Sequence, residues 1–519
     1  MAVKTSETSN TTSITTSTAR TNKKIQRVLE ERFGLENLRG LQRDVIEAVL
    51  RGEDTLAILP TGAGKSLCFQ LPALMIPGTT LVISPLIALM KDQQEKLESL
   101  EIEALQLNSS LKKSEQNEAI DEIREGHTDF IYTTPERLTN SDFLKEIKNT
   151  KIDFIVIDEA HCITQWGHDF RPAYLGLRDA IREIGQPPIL ALTATATEAV
   201  TQDIQAQLGL KKMTVIRGGL FRENLSYEAD VCDDMNEKFE KVAEKLATFD
   251  PSESGIIYSA SIACATELYN QLKDRKGGVE IYHGKLSSQD RRDAQDRFMS
   301  GISKLMIATN AFGMGIDKAD LRFVIHFNFP GSLEAYYQET GRAGRDGEKS
   351  TCYLLYLKKD QSTQNFFLAG RHPKPEHLVS VYRILEKAPS ELVPLKGLQD
   401  EAKSVPKTKV RVVLNTLRDV GLALISTRGT RLTAHARNTK PSDARLESIA
   451  QTFEEKALAD REKLKAMIVY AQTAMCRWNV LLKYFGEKPL EDGCRACDNC
   501  QRHVVSPPHD NKLLRSQAH

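Results

Sequence analysis

The 519-residue sequence is short of tryptophan, with only two, and aromatic residues make up 6% of it. It holds no apolar run close to the ~20 residues that a membrane-crossing helix needs, which excludes a helical span. Residues 1–23 are rich in Ser and Thr and carry no apolar stretch. They do not read as a secretory leader and are expected to form a disordered tail. Formal net charge is zero, which taken alone argues against a nucleic-acid partner. The nine cysteines are not spaced as a disulfide framework: Cys68, Cys162, Cys232, Cys264 and Cys352 are scattered, and Cys476, Cys494, Cys497 and Cys500 fall together late. That usage suits a reducing cytoplasm.

The charge is unevenly spread. Residues 371–519 carry 26 Lys/Arg against 17 Asp/Glu, and the first 370 residues carry the balancing negative excess. A basic C-terminal region is a plausible footprint for a phosphate backbone. From about residue 54 to 358, short β-branched runs alternate with longer helical stretches. Thr55–Leu59, Thr80–Ser84, Phe130–Thr133, Phe154–Ile157 and Ile189–Thr193 read as strands, followed by Ile256–Ser259, Glu280–Tyr282, Leu305–Ala308 and Phe323–Phe327. Such alternation implies βαβ units and parallel sheets. The stretch exceeds one comfortable core, so two α/β lobes are expected, with the seam near Arg222–Tyr227. After residue 371 helical pattern dominates. Leu395–Ser404 and Lys407–Val420 read as helices around a Val405-Pro406 turn. Val410, Val413, Leu414 and Leu417 recur at helical spacing, and Gly421 ends the second helix. Leu422–Ser426 and Arg431–Ala434 then suggest a hairpin wing.

Two short segments carry chemistry. Leu59-Pro-Thr-Gly-Ala-Gly-Lys65-Ser66 follows an apolar strand. Its glycines let backbone N–H groups approach phosphates at the start of a helix. Thr61, Gly62 and Gly64 would cradle a nucleoside triphosphate, Lys65 would contact its β- and γ-phosphates, and Ser66 would ligate Mg²⁺. Leu59 stands where the strict pattern has glycine. The second segment, Phe154-Ile-Val-Ile-Asp158-Glu159-Ala160-His161, ends a buried-type run with two carboxylates. Asp158 is then placed to hold Mg²⁺ and Glu159 to polarise the attacking water. Four thiols spaced as Cys476, then Cys494-Arg-Ala-Cys497-Asp-Asn-Cys500, suit a tetrahedral structural Zn²⁺ site.

These motifs, in this order, resemble those of the superfamily 2 helicases, and within them the RecQ family of DNA helicases. The resemblance covers roughly residues 25–365 and resumes at 465–500. It implies two RecA-like parallel-sheet lobes followed by a mainly helical, winged-helix-like segment and a zinc-binding helical module. Phe33-Gly34, Arg39 and Gln42 match the motif that recognises adenine, so Gln42 would read the base edge with Arg39 near the nucleotide. The family usually has Arg-Pro-Gly-Gln there, and this chain has Arg39-Gly-Leu-Gln42. Ile83–Gln93, Thr134–Arg137 and Leu192-Thr-Ala-Thr195 look like motifs that line the single-strand track or couple it to ATP. His161–Tyr174 resembles the aromatic-rich loop of the family; Trp166 and Phe170 would stack on bases and Arg171 would grip a phosphate. Ser259 and Tyr282–Leu286 look like strand-end contacts of the second lobe. Ala308–Asp317 resembles a motif joining nucleic acid to the ATP site, with Asp317 on the nucleotide side. Tyr337–Gly347 resembles the helicase arginine motif, in which Arg345 is favoured as the finger and Arg342 as the helper.

The order of parts departs from the family's. Typical members place the zinc module directly after the second lobe and a winged helix after that. Here about a hundred residues intervene, and 19 follow Cys500. The expected division is a tail 1–23, an ATP-binding lobe 24–222, a second lobe 223–368, a winged-helix-like insertion 369–440, a zinc-binding module 441–505 and a tail 506–519. Residues 405–440 hold eight Lys/Arg and one acid, so Lys407, Lys409 and Arg411 at a helix start are expected to touch DNA. The resemblance implies an ATP-dependent DNA helicase moving 3′-to-5′ on single strands in repair, recombination or replication, with ATP, Mg²⁺ and Zn²⁺. The expected partners are single-stranded and forked DNA and a single-strand-binding protein, with no membrane partner. The expected form is a cytoplasmic, nucleoid-associated monomer. Two rivals are an RNA helicase of the Asp-Glu-Ala-His type and a DNA-binding module with a decayed motor.

Overall fold

The computed structural model describes residues 9–108, 113–126, 128–148, 150–164, 172–312, 318–369, 372–387, 392–428, 431–437 and 441–505. The chain divides into two compact units, one running to Gly218 and one beginning at Gly219, with stretches of 388–437 assigned to each. No helix among the described residues is long and apolar enough to cross a membrane.

The first unit is built on seven strands: β1 Thr55–Ile58, β2 Thr79–Ile83, β3 Ala104–Leu107, β4 Phe130–Thr133, β5 Ile152–Ile157, β6 Ile189–Thr193 and β7 Thr214–Arg217. Their order is β3-β4-β2-β5-β6-β1-β7, and every pair is parallel. Successive side chains point to opposite faces of a sheet, so strands covered on both faces must be apolar throughout. Accordingly Ile155 and Ile157 pack with Leu56, Ile58, Leu81 and Ile83, while Phe154 and Val156 pack with Ala57, Val82 and Leu190 on the other face. This is why the central strands were readable as continuous apolar runs. The edge strands β3 and β7 lie outside the sequence expectation because they are four residues long and partly exposed. The expected disordered tail also needs correction, since a helix spans Ser9–Phe33. Its last turns bury Ile25, Val28 and Leu29, and a helix nucleated there propagates backwards at little cost per residue.

The second unit has six parallel strands: β8 Leu225–Cys232, β9 Ser254–Tyr258, β10 Val279–Tyr282, β11 Leu305–Ala308, β12 Leu321–His326 and β13 Ser350–Leu357, in the order β10-β11-β9-β12-β13-β8. The same two-sided burial holds, with Ile256, Met306, Val324 and Leu354 on one face and Ile257, Ile307, Ile325 and Leu355 on the other. Neither β8 nor β13 figures in the sequence expectation. β8 lies where the seam was placed, and the unit instead begins at Gly219 because Leu220, Arg222 and Asn224 are already hydrogen-bonded into it.

β8 is an edge strand, and an open edge presents unpaired backbone groups. Here side chains from the cysteine-bearing segment cover it. The Trp478 indole donates to the Leu225 carbonyl at 3.0 Å. Ala229 donates its N–H to Asp498 at 3.2 Å, and its carbonyl accepts from Arg477 at 3.4 Å. Arg477 and Asp498 are themselves joined by a fork of 2.6 and 2.9 Å. Trp478 is fully buried, edge-on to Tyr227 and Phe221. One core therefore contains β-strand residues such as Tyr227 and Leu354 together with Met467, Tyr470, Leu481 and Phe485 from the helices Asp443–Gln472 and Arg477–Tyr484 and the turn after them.

The intervening segment folds as anticipated from its pattern. Helices Leu395–Glu401 and Lys407–Asp419 precede a hairpin of β15 Ala423–Arg428 and β16 Arg431–Ala436, and β14 Val393–Pro394 adds an antiparallel third strand. Val410, Val413, Leu414 and Leu417 are all buried. Gly421 adopts φ +76°, a left-handed value that ends the helix where other residues would be strained. The helix Pro375–Lys387, within the bounds 369–440 given to this insertion, packs against the helix Asp443–Gln472.

Shared packing makes a prediction. Trp478→Ala should cost the second unit about 3–5 kcal/mol, read from denaturant unfolding. A loss below about 1 kcal/mol would mean that the helical module only rests against the sheet.

Candidate functional site

In a parallel sheet the carboxyl ends of all strands emerge on one side, and ligands bind there. The first unit places its motifs at that side. The glycine loop follows β1, Ser84 follows β2, Asp158 follows β5 and Thr193-Ala-Thr195 ends β6. The loop is locked to its neighbour at its root, where Leu59 N–H donates to the Thr193 carbonyl at 3.0 Å. Gly62 and Gly64 adopt φ +87° and +75°, conformations that non-glycine residues rarely hold. Lys65 is half-buried and turns its ammonium back onto the Leu59 carbonyl at 3.3 Å. Ser66 immediately precedes the helix Leu67–Ala73, and its side chain makes no capping hydrogen bond to it.

Gln42 is the unexpected member of this loop. Its amide nitrogen donates to the carbonyls of Ala63 and Gly64 at 3.0 and 3.1 Å, and its amide oxygen accepts from Arg39 N–H at 2.8 Å. A Cβ on Gly64 would strike that amide nitrogen. The side chain assigned to base reading thus also holds the phosphate loop, while the Arg39 side chain is exposed.

Asp158 keeps part of its surface open, yet its carboxyl is desolvated by the surrounding sheet end. Burial pushes it up to about 7, with the Glu159 charge adding to the effect and the Lys65 ammonium opposing it. The Glu159 N–H donates to Asp158 Oδ1 at 2.9 Å. Glu159 itself sits at φ 49°, ψ 48°, the left-handed region that costs a non-glycine residue about 1–3 kcal/mol. His161 Nδ1 lies 3.3 Å from Glu159 Oε2 and 3.1 Å from Thr193 Oγ1, and Thr193 Oγ1 donates to the Thr195 carbonyl at 3.1 Å. The acidic box and the Thr-Ala-Thr motif are therefore one hydrogen-bonded unit, which sequence separation conceals.

In the second unit Arg342 is buried and Arg345 half-buried. The Arg342 guanidinium lies beside the Tyr258 phenol, which burial pushes up to about 12. Its Nε–H has no acceptor among the described residues. Sequence reasoning missed what holds this loop: Arg222 and Asn224 donate to its carbonyls. Ser259, expected as a strand-end contact, immediately follows β9, is buried and donates to Asn328 Oδ1 at 3.1 Å. Lys407 and Arg411 are exposed, with the Lys407 ammonium 3.5 Å from Asp400, and Lys409 is half-buried. Trp166, Phe170, Arg171 and Asp317 lie outside the described residues.

The four late cysteines converge. The Sγ atoms of Cys476, Cys494, Cys497 and Cys500 all lie within 4.8 Å of one another, and Cys494 and Cys500 Sγ are 3.9 Å apart. Zn–S bonds of about 2.3 Å at tetrahedral angles put sulfurs about 3.8 Å apart. Backbone N–H groups of Cys494 and Cys497 donate to the sulfurs of Cys476 and Cys494 at 3.2 Å, as thiolates require. Hydrogen bonds from the Cys476 and Cys494 thiols hold Cys497 well below the usual thiol range. The donor set fits zinc.

Two predictions follow from this geometry. Purified protein should hold about one zinc per chain by elemental analysis, and Cys497→Ser should release it; folded, metal-free wild type would refute the site. Asp158→Asn removes an enclosed charge, so in chelator it should raise stability by on the order of 1–3 kcal/mol while hydrolysis is lost. An unchanged melting temperature for this variant would show that Asp158 is well solvated, and a lower one that its charge is held by net favourable interactions.

Comparison with known proteins agrees with this arrangement. The DEAD/DEAH box helicase family matches residues 39–204, the helicase conserved C-terminal domain matches 237–347, and the RecQ zinc-binding family matches 441–501. The chain is 35% identical over 477 residues to the ATP-dependent DNA helicase RecQ of Bacillus subtilis, covering 92% of this chain and 66% of that protein. It is 40% identical over 366 residues to the probable ATP-dependent DNA helicase RecS of the same organism, covering 70% and 73%. It spans 56% of RecQ from Pasteurella multocida, at 41% identity over 69% of this chain. The fold is similar to Mycobacterium smegmatis helicase Lhr bound to ssDNA and AMP-PNP (TM-score 0.55, 20% identity, 85% of this chain and 61% of that one). It is also similar to S. cerevisiae Dbp5 bound to RNA and ADP BeF3 (TM-score 0.54, 20% identity, 66% and 91%). With the phosphate loop, the acidic box and the four cysteines on one chain, and with relatives matched at this identity, the chain belongs to the RecQ family of ATP-dependent DNA helicases.

Proposed function

We propose that this chain hydrolyses ATP to unwind DNA, moving 3′-to-5′ along a single strand at single-stranded or forked sites during repair, recombination or replication. The observation that carries the reading is the meeting of the phosphate loop, Asp158–Glu159 and Thr193–Thr195 at adjacent strand ends of one sheet. Lys65 is close enough to Asp158 to oppose its burial. DNA is favoured over RNA by the cysteine centre and by the DNA helicases among the relatives.

In this reading Gln42 accepts from the base and Arg39 flanks it. Thr61, Gly62 and Gly64 supply backbone donors to the phosphates, and Lys65 neutralises charge on the β- and γ-oxygens. Ser66 and Asp158 would hold Mg²⁺, which supplies the positive charge that an enclosed Asp158 needs to stay ionised. Glu159, fixed by its strained backbone and by His161, takes the proton of the attacking water. Arg345 as finger and Arg342 as helper spread positive charge over the transferring phosphoryl group, with Asp317 near the nucleotide. Trp166, Phe170 and Arg171 engage the single strand; Lys407, Lys409 and Arg411 contact DNA phosphates. The zinc ion is structural. The protein works as a cytoplasmic monomer alongside a single-strand-binding protein.

The test is ATP hydrolysis without nucleic acid, with single-stranded DNA and with single-stranded RNA. DNA should stimulate strongly and RNA should not; stimulation by RNA alone would overturn the reading. Lys65→Ala should lower turnover by at least about 10²-fold and spare DNA binding. Retained turnover would mean that the phosphate site lies elsewhere.

A further inference from the structure

Residues 220–225 lead into the edge strand β8 and are held from two sides. Leu220 donates its N–H to both carboxylate oxygens of Glu487, at 3.0 and 3.1 Å. The Leu220 carbonyl accepts from the Tyr337 hydroxyl at 2.8 Å, and the Leu225 carbonyl accepts from the Trp478 indole. Glu487 lies between the zinc-binding cysteines Cys476 and Cys494, so the cysteine module pins both ends of this short segment.

Between those pins the segment reaches the arginine loop. Arg222 donates from one terminal nitrogen to the Gly341 carbonyl at 3.0 Å, and from the other to the carbonyls of Ala343, at 2.9 Å, and Gly344. Asn224 donates to the carbonyls of Gly344 and Glu348 at 2.8 and 2.9 Å. The carbonyls of Ala343 and Gly344 belong to two of the three peptides that link Arg342 to Arg345. Gly344 has φ +56°, so the chain reverses there, and a Cβ would crowd the Asn224 amide and the Glu348 carbonyl. The loop's backbone donors are already satisfied locally: Ala343 N–H by Thr340, Gly344 N–H by Leu321 and Gly347 N–H by Gly344. The turn's own donors are thus satisfied without Arg222, and what Arg222 and Asn224 supply together is the hydrogen bonding of its carbonyls, on the stretch that links Arg342 to Arg345. A guanidinium presents a planar array of donors that an ammonium cannot match, which is why the position needs arginine and not merely charge.

We propose that Arg222 is a positioning residue for the arginine loop, and that Glu487 fixes the segment that carries it. The proposal rests on the reading of Arg342 and Arg345 as groups that stabilise the transition state. An aim that matters only in the transition state lowers kcat and leaves KM alone.

The experiment measures kcat and KM for ATP at saturating single-stranded DNA in the wild type, Arg345→Ala, Arg342→Ala, Arg222→Ala, Arg222→Lys and the double variant Arg222→Ala/Arg345→Ala. Zinc content and melting temperature are read for each. Expected are a kcat lowered by about 10-fold or more in both Arg222 variants, KM within about twofold, and a double variant little worse than Arg345→Ala. Glu487→Ala should give the same split at smaller size with zinc retained. Should Arg222→Ala fail to fold, Asn224→Ala, which removes two bonds to the same loop, takes its place beside Arg222→Lys. Wild-type kcat in the Arg222 and Asn224 variants while Arg345→Ala is slow, or effects that multiply in the double variant, would overturn the proposal. Undiminished turnover in both Arg342→Ala and Arg345→Ala would instead overturn the reading beneath it.

Discussion

Every strand of both large sheets runs parallel to its neighbours, and the central strands are buried on both faces. That constraint leaves almost no room for a polar side chain along a central strand. Polar groups that do chemistry must then appear where strands stop, and they do so on one side of each sheet. The glycine loop, Ser84, Asp158 and Thr193 are separated by many residues in sequence, yet each stands at or just beyond the carboxyl end of its strand. The site is therefore a consequence of topology before it is a consequence of side-chain identity.

A parallel sheet also has edges, and the second unit resolves one of them in an instructive way. β8 presents Leu225 and Ala229 outward, and Trp478, Asp498 and Arg477 complete their hydrogen bonding. The segment between residues 372 and 437 separates the sheet from these residues in sequence but not in space. This explains why the unusual order of parts is compatible with the family's architecture. Loop-closure entropy grows slowly with loop length, so a hundred inserted residues cost little once the edge-capping contacts are made. The contacts, not the chain order, define the module.

The central strands and the helix–turn–helix–hairpin of the insertion were legible because each signal is local. Continuous apolar runs mark β1, β2, β4, β5 and β6, and Gly421 marks a helix end. The phosphate loop, the acidic box and the cysteine set were legible because their spacing is local too. What escaped is long-range. β8 alternates half-exposed and buried residues and reads as a linker until β13 and Trp478 are known to flank it. Arg222 and Asn224 look like surface residues at a seam, since nothing near them in sequence reveals that carbonyls more than a hundred residues away are their partners. Ser259 does stand at the end of β9, but its sequence surroundings do not reveal the buried network running from it through Asn328 and Asp360 to Lys238.

The nucleotide site is also where local preference is most openly violated, and the violations share one physical logic. Glu159 occupies a left-handed conformation, Asp158 is enclosed beside a second carboxylate, and Gln42 spends its amide on the backbone of the phosphate loop. In each, the surrounding structure holds a group in a state that it would not adopt alone. The hydrogen bonds of His161 to Thr193 and of Gln42 to Ala63 and Gly64 fix the acidic box and the phosphate loop against their neighbours. Thr193 is bonded in turn to Thr195, so the two motifs at the ends of β5 and β6 are held as one unit although more than thirty residues separate His161 from Thr193.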